Sequence, residues 1–305
     1  TKISKIIDDI RHRTNRQLVF NICRWQFPGA WAANIADSWR TGCDITPDFD
    51  SVIHQIDNIK PLARYCSLGH VNDLDMMQIG NGLTLAEEKT HFSMWCMMST
   101  PLMLGCDLTK ISPETLEIVK NEELIAINQD EACLQAYPIK EVCSEAGELL
   151  AEIWIKDLGK KTSNEKAIAF LNRSDETVTM ELDLKDAGLI GKIMSVRDLW
   201  SHEECPCIQE MTITVAPRDV AIYRITSEIS VEVPNPCDKG EVEFVPVCKI
   251  TMEQALELQE KGAILLDVRE PQEYEKKHLE GAVNLPYCDI FGKYIQKILK
   301  LFIFT

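Results

Sequence analysis

Ser38-Trp39-Arg40-Thr41-Gly42-Cys43-Asp44-Ile45 sets an arginine and a carboxylate four residues apart beside a glycine, bracketed by an aromatic and an aliphatic residue. Trp39 to Ile45 reads as a strand. Residues four apart on a strand share a face, yet about 13 Å separates their Cα atoms while the strand runs straight. Gly42 gives the chain a place to curl. If it curls there, Arg40 and Asp44 converge on one ligand, as groups at the C-terminal mouth of a β/α barrel do. Taken alone, the spacing also fits a surface Arg–Asp pair.

The flanking sequence repeats a strand-and-helix rhythm. Ile3, Ile6, Ile7 and Ile10 fall at helical spacing. Leu18 to Cys23 is a short apolar run and reads as a buried strand. Phe49 to Ala63 carries apolar residues at Phe49, Val52, Ile53, Ile56 and Ile59, a helix that ends near Pro61. Met76 to Ile79 is a short strand, and Thr84 to Met98 is a helix opened by a Thr84/Glu87 capping box. Its Met94, Trp95, Met97 and Met98 form a core stripe. Leu102 to Leu104 is a further strand, followed by a helix with Pro113 in its first turn and another ending near Gln129. Such alternation indicates parallel β/α units. A full eightfold barrel takes about 250 residues, so only about four units fit here. A half barrel leaves unpaired strand edges, and aggregation or poor folding of the isolated chain is expected.

From about Cys133 the period changes. Leu149 to Ile155, Lys166 to Leu171, Val178 to Leu184, Ile193 to Leu199, Met211 to Val215 and Val220 to Ile225 are short β-branched runs separated by turn residues, the pattern of an antiparallel sandwich. Ser227 to Glu243, with Pro234-Asn235-Pro236 and five acidic residues, reads as a linker. Beyond it Met252 to Gln259 is a helix, Ile264 to Val268 a buried strand and Glu273 to His278 a helix. The expected fold is therefore α/β plus all-β. Its parts are the C-terminal half of a (β/α)8 barrel over 1–131, an antiparallel β-sandwich over 132–227, a linker over 228–244 and a truncated α/β domain over 245–305.

Five ordered motifs sharpen this over about the first 130 residues. They are Asn21-Ile22-Cys23-Arg24-Trp25, the stretch from Ser38 to Ile45, Gly69-His70-Val71-Asn72-Asp73-Leu74-Asp75-Met76, Thr90-His91-Phe92-Ser93-Met94-Trp95 and Pro101-Leu102-Met103-Leu104-Gly105-Cys106-Asp107-Leu108. Together they resemble the α-galactosidase and α-N-acetylgalactosaminidase family of retaining glycoside hydrolases (family 27), which carries a small antiparallel β domain behind its barrel. Leu266-Asp267-Val268-Arg269-Glu270-Pro271-Gln272-Glu273-Tyr274, with His278, Gly281-Ala282 and Asn284-Leu285-Pro286, resembles the first part of a rhodanese domain.

Retaining hydrolysis uses two carboxyl groups about 5–5.5 Å apart, one nucleophile and one acid/base. The resemblance assigns Asp44 to the acid/base. That role requires a group still protonated when it meets the leaving oxygen. A guanidinium beside it favours the carboxylate, so Arg40 is assigned to the sugar hydroxyls and a second carboxylate is expected to raise Asp44. In the family the nucleophile sits in a Lys-x-Asp-x-Cys motif on the fourth barrel strand. No such motif occurs in these 305 residues, and the segment carrying it is expected to lie before Thr1. The resemblance further implies that Cys23, Trp25 and Met76 line the sugar pocket, and that Asp73 and Asp75 hold its shape. Arg24 replaces a residue often acidic, Gln26-Phe27 a Gly region, Val71 a frequent Trp and Leu74 a Pro, which leaves the preferred sugar open. His70 and His91 are read as buried, hydrogen-bonded histidines.

Composition fits a neutral substrate. A net charge of −16 argues against nucleic acid or an anionic membrane as partner. No apolar run approaches the roughly 20 residues of a membrane span. The twelve cysteines show no metal-type spacing, Cys205 and Cys207 read as loop residues, and the thiols within apolar runs point to a reducing compartment. No cofactor is implied, since the hydrolysis needs only carboxylates and water. In rhodaneses the sulfur-carrying Cys lies roughly 30 residues beyond the Gly-Ala-x-Asn-x-Pro segment; Cys288 comes too early, and Asp267 and Arg269 then read as structural. Two other readings stand beside the hydrolase: a non-catalytic carbohydrate-binding or regulatory protein, and a sulfur-transfer fusion.

Overall fold

The computed structural model describes residues 2–159, 164–238, 240, 251–267, 269, 271–284 and 302–304. They form two compact units, Thr1–Val242 and Glu243–Thr305.

The first unit opens with helix α1 (Lys2–Thr14), then β1 (Asn21–Ile22), β2 (Ser38–Arg40), α2 (Phe49–Ile59), a 3₁₀ turn (Lys60–Tyr65), β3 (Val71–Asp73), α3 (Leu85–Met97), α4 (Pro113–Val119) and α5 (Glu122–Asn128). Strands β1, β2 and β3 pair side by side, all parallel. A parallel bridge from Met77 to Leu104 continues the series. Polar caps set the helix starts: Asp48 accepts from the Ser51 N–H at α2, and Thr84 and Glu87 complete the expected capping box at α3.

Three strand expectations need correcting. The segment Leu18 to Cys23 is neither long nor buried: only Asn21–Ile22 pairs, and Val19 and Cys23 are exposed, because β1 is the edge of its sheet. The strand from Trp39 stops at Arg40 instead of reaching Ile45, the chain curling out just before Gly42. The pairing expected at Met76 to Ile79 falls earlier, at Val71–Asp73, and the later stretch keeps only its bridge to Leu104. There Asp75, at φ 82°, turns the backbone out of the extended path after Asp73.

The rest of the unit is antiparallel. β4 (Tyr137–Cys143), which the turn pattern did not reveal, precedes β5 (Leu149–Asp157), β6 (Glu165–Asn172), β7 (Val178–Asp183), β8 (Leu189–Asp198), β9 (Glu210–Val215) and β10 (Val220–Ser230). One sheet runs β4-β5-β6-β10-β8 and the other is the pair β7-β9. Both faces of the larger sheet are covered. Ile153, Ile168 and Phe170 join Met180, Leu182 and Met211 of the small sheet in one core, while Trp154, Ala167, Ala169, Leu171 and Ile222 join Phe92, Trp95 and Ile56 of the helices in another. The two alanines of β6 keep that face thin where α3 packs on it. Residues 228–230 continue β10, and Asn235 donates to the Lys60 carbonyl; residues 241–244 of the expected linker lie outside the described residues.

In the second unit, α6 (Met252–Glu260) begins with a Thr251/Gln254 capping box, and β11 (Leu265–Asp267), α7 (Pro271–Lys276), β12 (Val283–Asn284) and β13 (Phe302–Phe304) follow. The sheet order β12-β11-β13 is wholly parallel. Asp267 receives the Arg269 backbone and guanidinium, and Asn284 donates to the Asp267 and Arg269 carbonyls. These two residues therefore shape the turn after β11. Cys288 lies outside the described residues.

Candidate active site

The three parallel strands deliver their chemistry at the C-terminal ends. On β2, Ser38 and Arg40 share a face while Trp39 points the other way, fully buried, its indole N–H donating to Asn72 at 2.7 Å. Past Arg40 the chain curls. Arg40 then spans its own loop: its Nη2 lies 2.8 Å from the Cys43 carbonyl, 3.2 Å from Asp44 Oδ1 and 2.6 Å from Asp75 Oδ2. The expected convergence of Arg40 and Asp44 is present, with Asp75 as the closer partner. Arg40 is thus bonded to both acids rather than held apart for sugar hydroxyls alone. Its buried Nε has no hydrogen-bond partner.

Gly42 makes the curl possible by close approach. A Cβ there would stand 2.4 Å from Gln55 Oε1, and Gln55 is fixed because its amide donates to the Cys43 carbonyl at 2.7 Å. The loop is stapled to α2 before it reaches Asp44.

From β3 come two acids in different surroundings. Asp75 is strained in the left-handed region and is held by three donors: Ile45 N–H at 3.0 Å, Met76 N–H at 2.7 Å and Arg40. Trp95 fixes its carbonyl through an indole bond of 2.9 Å. Asp73 instead faces β1, accepting from Asn21 Nδ2 at 2.6 Å and from the Asp75 N–H at 2.9 Å. Burial pushes the Asp73 carboxyl above its ordinary value, against the opposing pull of those two donors and of Arg40.

At the rim, Asp44 is the accessible acid, with 68% of its side chain exposed against 14% for Asp75. Trp25 and Met76 present half-open apolar surfaces and Cys23 is exposed. Met76 lies over Gly105, where a Cβ would meet its sulfur at 2.7 Å. Cys23 and Trp25 follow β1 directly but take no part in the Arg40 network. His91 is fully buried and its Nε2 accepts from the Gln78 N–H, as expected, and burial holds its pKa down at about 3. His70 is bonded to the Ala36 carbonyl but only half buried. Among the described residues no group of His, Cys, Asp or Glu is arranged to hold a metal ion, and no helix is long and apolar enough to cross a membrane.

Sequence reading passed over Asn21, which joins Asp73 to Ser38, and gave Asp75 a smaller part than it has. The signal for Asn21 was present: an amide interrupting the apolar run from Leu18 to Cys23, and it pairs with Ser38 on the neighbouring strand.

This constellation lies within residues 12–130, which match the family described as α-galactosidase A, and residues 150–225 match the α-galactosidase C-terminal β-sandwich domain. Over these two stretches the chain is similar to α-galactosidases. Residues 251–302 match the rhodanese-like domain. An α-galactosidase of Oryza sativa subsp. japonica is 34% identical over 215 residues, covering 69% of this chain and 49% of its own. α-Galactosidase A of Cellvibrio japonicus is 34% identical over 242 residues, covering 72% and 58%. The solved structure of α-galactosidase I from Mortierella vinacea superposes with a TM-score of 0.64 at 23% identity, over 75% of this chain and 63% of that one, a likeness of fold. The chain spans about half the length of the first two of these relatives.

Proposed function

We propose that residues 1–131 form the acid/base side of a retaining α-galactosidase-like site, backed by a β domain over 132–227, joined by a linker over 228–244 to a rhodanese-like domain over 245–305. Asp44 is the acid/base, Arg40 the residue that orients it and meets sugar hydroxyls, and Cys23, Trp25 and Met76 the lining of the sugar pocket. Asp73 and Asp75 hold the shape of the site. The nucleophile comes from outside these 305 residues, so the chain by itself binds sugar but turns over little or none. The substrate class is a terminal α-galactoside or a related sugar.

The observation that carries this reading is the sharing of one guanidinium nitrogen between Asp44 and Asp75. Asp75 is the largely buried carboxyl group and holds Arg40 on the shorter bond. Asp44 is left exposed on the longer bond, free to swing toward a leaving oxygen. An acid/base must make that movement twice, giving its proton and taking it back. Trp25 offers an indole to the apolar face of a sugar ring.

Calorimetric titration with galactose and with N-acetylgalactosamine tests the binding half. Heat is expected for at least one sugar, with affinity reduced about tenfold in Trp25→Ala, equivalent to about 1.4 kcal/mol. Absence of heat with both sugars contradicts the assignment.

A further inference from the structure

Away from the strand mouth, a second cluster brings together two thiols and a buried cation. Cys66 ends the 3₁₀ turn at Lys60–Tyr65, is 5% exposed, and lines a cavity of about 550 Å³ together with Ala63, Leu134, Gln135 and Tyr137. Cys133 sits 67 residues later in the turn between α5 and β4, at φ 51°, and is half exposed. The Cys66 sulfur lies 3.3 Å from the Cys133 carbonyl oxygen, which sets the two cysteines side by side. Both thiols are free.

The surroundings of the two sulfurs differ. Cys66, nearly closed to solvent, donates its S–H to the Cys133 carbonyl, whereas Cys133 is half exposed. Behind it stands Lys156, whose Nζ donates to Ser99 Oγ at 2.8 Å, to the Ile127 carbonyl at 2.6 Å and to the Cys96 carbonyl at 3.2 Å. Interaction with Cys66 and the charge of Lys156 hold the Cys133 thiol below its ordinary value, while interaction with Cys133 and burial push Cys66 up. Cys96, beside the same lysine but fully buried, is driven strongly upward by desolvation. The cluster thus sets a half-exposed cysteine near a buried lysine beside a closed-off cysteine that bonds to its backbone, the pairing of attacking and resolving cysteines.

We propose that Cys133 and Cys66 form a hydroperoxide-responsive dithiol, with Cys133 as the attacking sulfur and Cys66 as the resolving one. The Cys133 thiolate attacks one oxygen of the hydroperoxide. The O–O bond breaks, the leaving oxygen departs as hydroxide or alkoxide and takes up a proton, and the sulfur is oxidised by two electrons to a sulfenic acid. The Cys66 sulfur, giving up its proton, then attacks the sulfenic sulfur; the S–O bond breaks and water leaves. Two thiols and one hydroperoxide become one disulfide, one water and one further water or alcohol. The resulting bond ties the segment leading into β3, which carries Asp73 and Asp75, to the connection between the half barrel and the sandwich.

The test is peptide mapping of the full chain after limiting hydrogen peroxide and alkylation of the remaining thiols. The expected product is a single cross-linked peptide pair containing Cys66 and Cys133, reversed by a reducing dithiol. Cys66→Ser is expected to stop the reaction at a Cys133 sulfenic acid trapped by a cyclic diketone, and Cys96→Ser to leave the cross-link unchanged. Mapping on the unaltered chain needs no variant to fold. Oxidation appearing first at the exposed Cys23, Cys143 or Cys207, with Cys66 and Cys133 still alkylated as free thiols, overturns the proposal.

Discussion

The three-stranded parallel sheet and the five-stranded antiparallel sheet belong to one compact unit but are held in opposite ways. β1, β2 and β3 are two or three residues long, too short for their ladders to carry much. Side chains do the joining: Trp39 to Asn72, Asn72 to Gln135 at 2.6 Å, Gln135 to the Ile59 carbonyl at 2.9 Å, Asn21 to Asp73, Arg40 to Asp75. The strands of the large sheet run seven to eleven residues, and apolar cores cover both its faces. A sheet built on such a network is sensitive to single polar deletions, whereas one built on long ladders responds to lost volume. Charge ties the large sheet to α2 and the 3₁₀ turn, since Glu152 of β5, fully buried, receives Lys60 at 2.5 Å and Arg173 at 3.0 Å, and both cations also bond Asp57 of α2.

The contrast can be broken most sharply at Trp39. Trp39→Ala is expected to cost about 3–5 kcal/mol for the vacated volume and about 1–3 kcal/mol more for the orphaned Asn72 amide. Phe170→Ala in β6 incurs only the first cost. Urea unfolding of the two variants side by side reads the difference; equal losses would mean that the polar network adds nothing. Arg40→Met comes next, at about 3 kcal/mol, because it strips the charge partner from a largely buried Asp75, again measured by urea unfolding.

Acid should expose His91. Its folded pKa of about 3 lies below the ordinary 6.5 because burial disfavours the charged ring. Below pH 6.5 the unfolded chain takes up a proton that the folded chain refuses. The stabilisation is therefore complete above 6.5 and declines as pH falls toward 3, by at most about 1.4 kcal/mol per pH unit. Unfolding free energies across that range should lose this slope in His91→Gln. The smallest effect belongs to Thr84→Ala, which removes one side of the α3 capping box and should cost about 1 kcal/mol, visible as a small fall in thermal midpoint.

Sequence legibility followed the same division. The sandwich strands could be placed from turns and β-branched runs, except β4, whose Pro138 and flanking charges hid it. The helices could be placed from period and caps, as at Thr84. The parallel strands were misjudged in length, because an apolar run fixes neither pairing nor, at an edge strand such as β1, burial. At the site, Arg40 and Asp44 stood out by spacing and by family likeness. The bond from Asp75 to Arg40 did not, since it depends on a left-handed residue that only Gly or Asn would have signalled.

Release of nitrophenol from an aryl α-galactoside by the purified 305-residue chain tests the central claim most directly. The account predicts turnover no faster than in Asp44→Asn, because a proton donor without its nucleophile completes no cycle. Steady turnover by the chain, lost in Asp44→Asn, would show that a second acid within these residues already serves, and would contradict it.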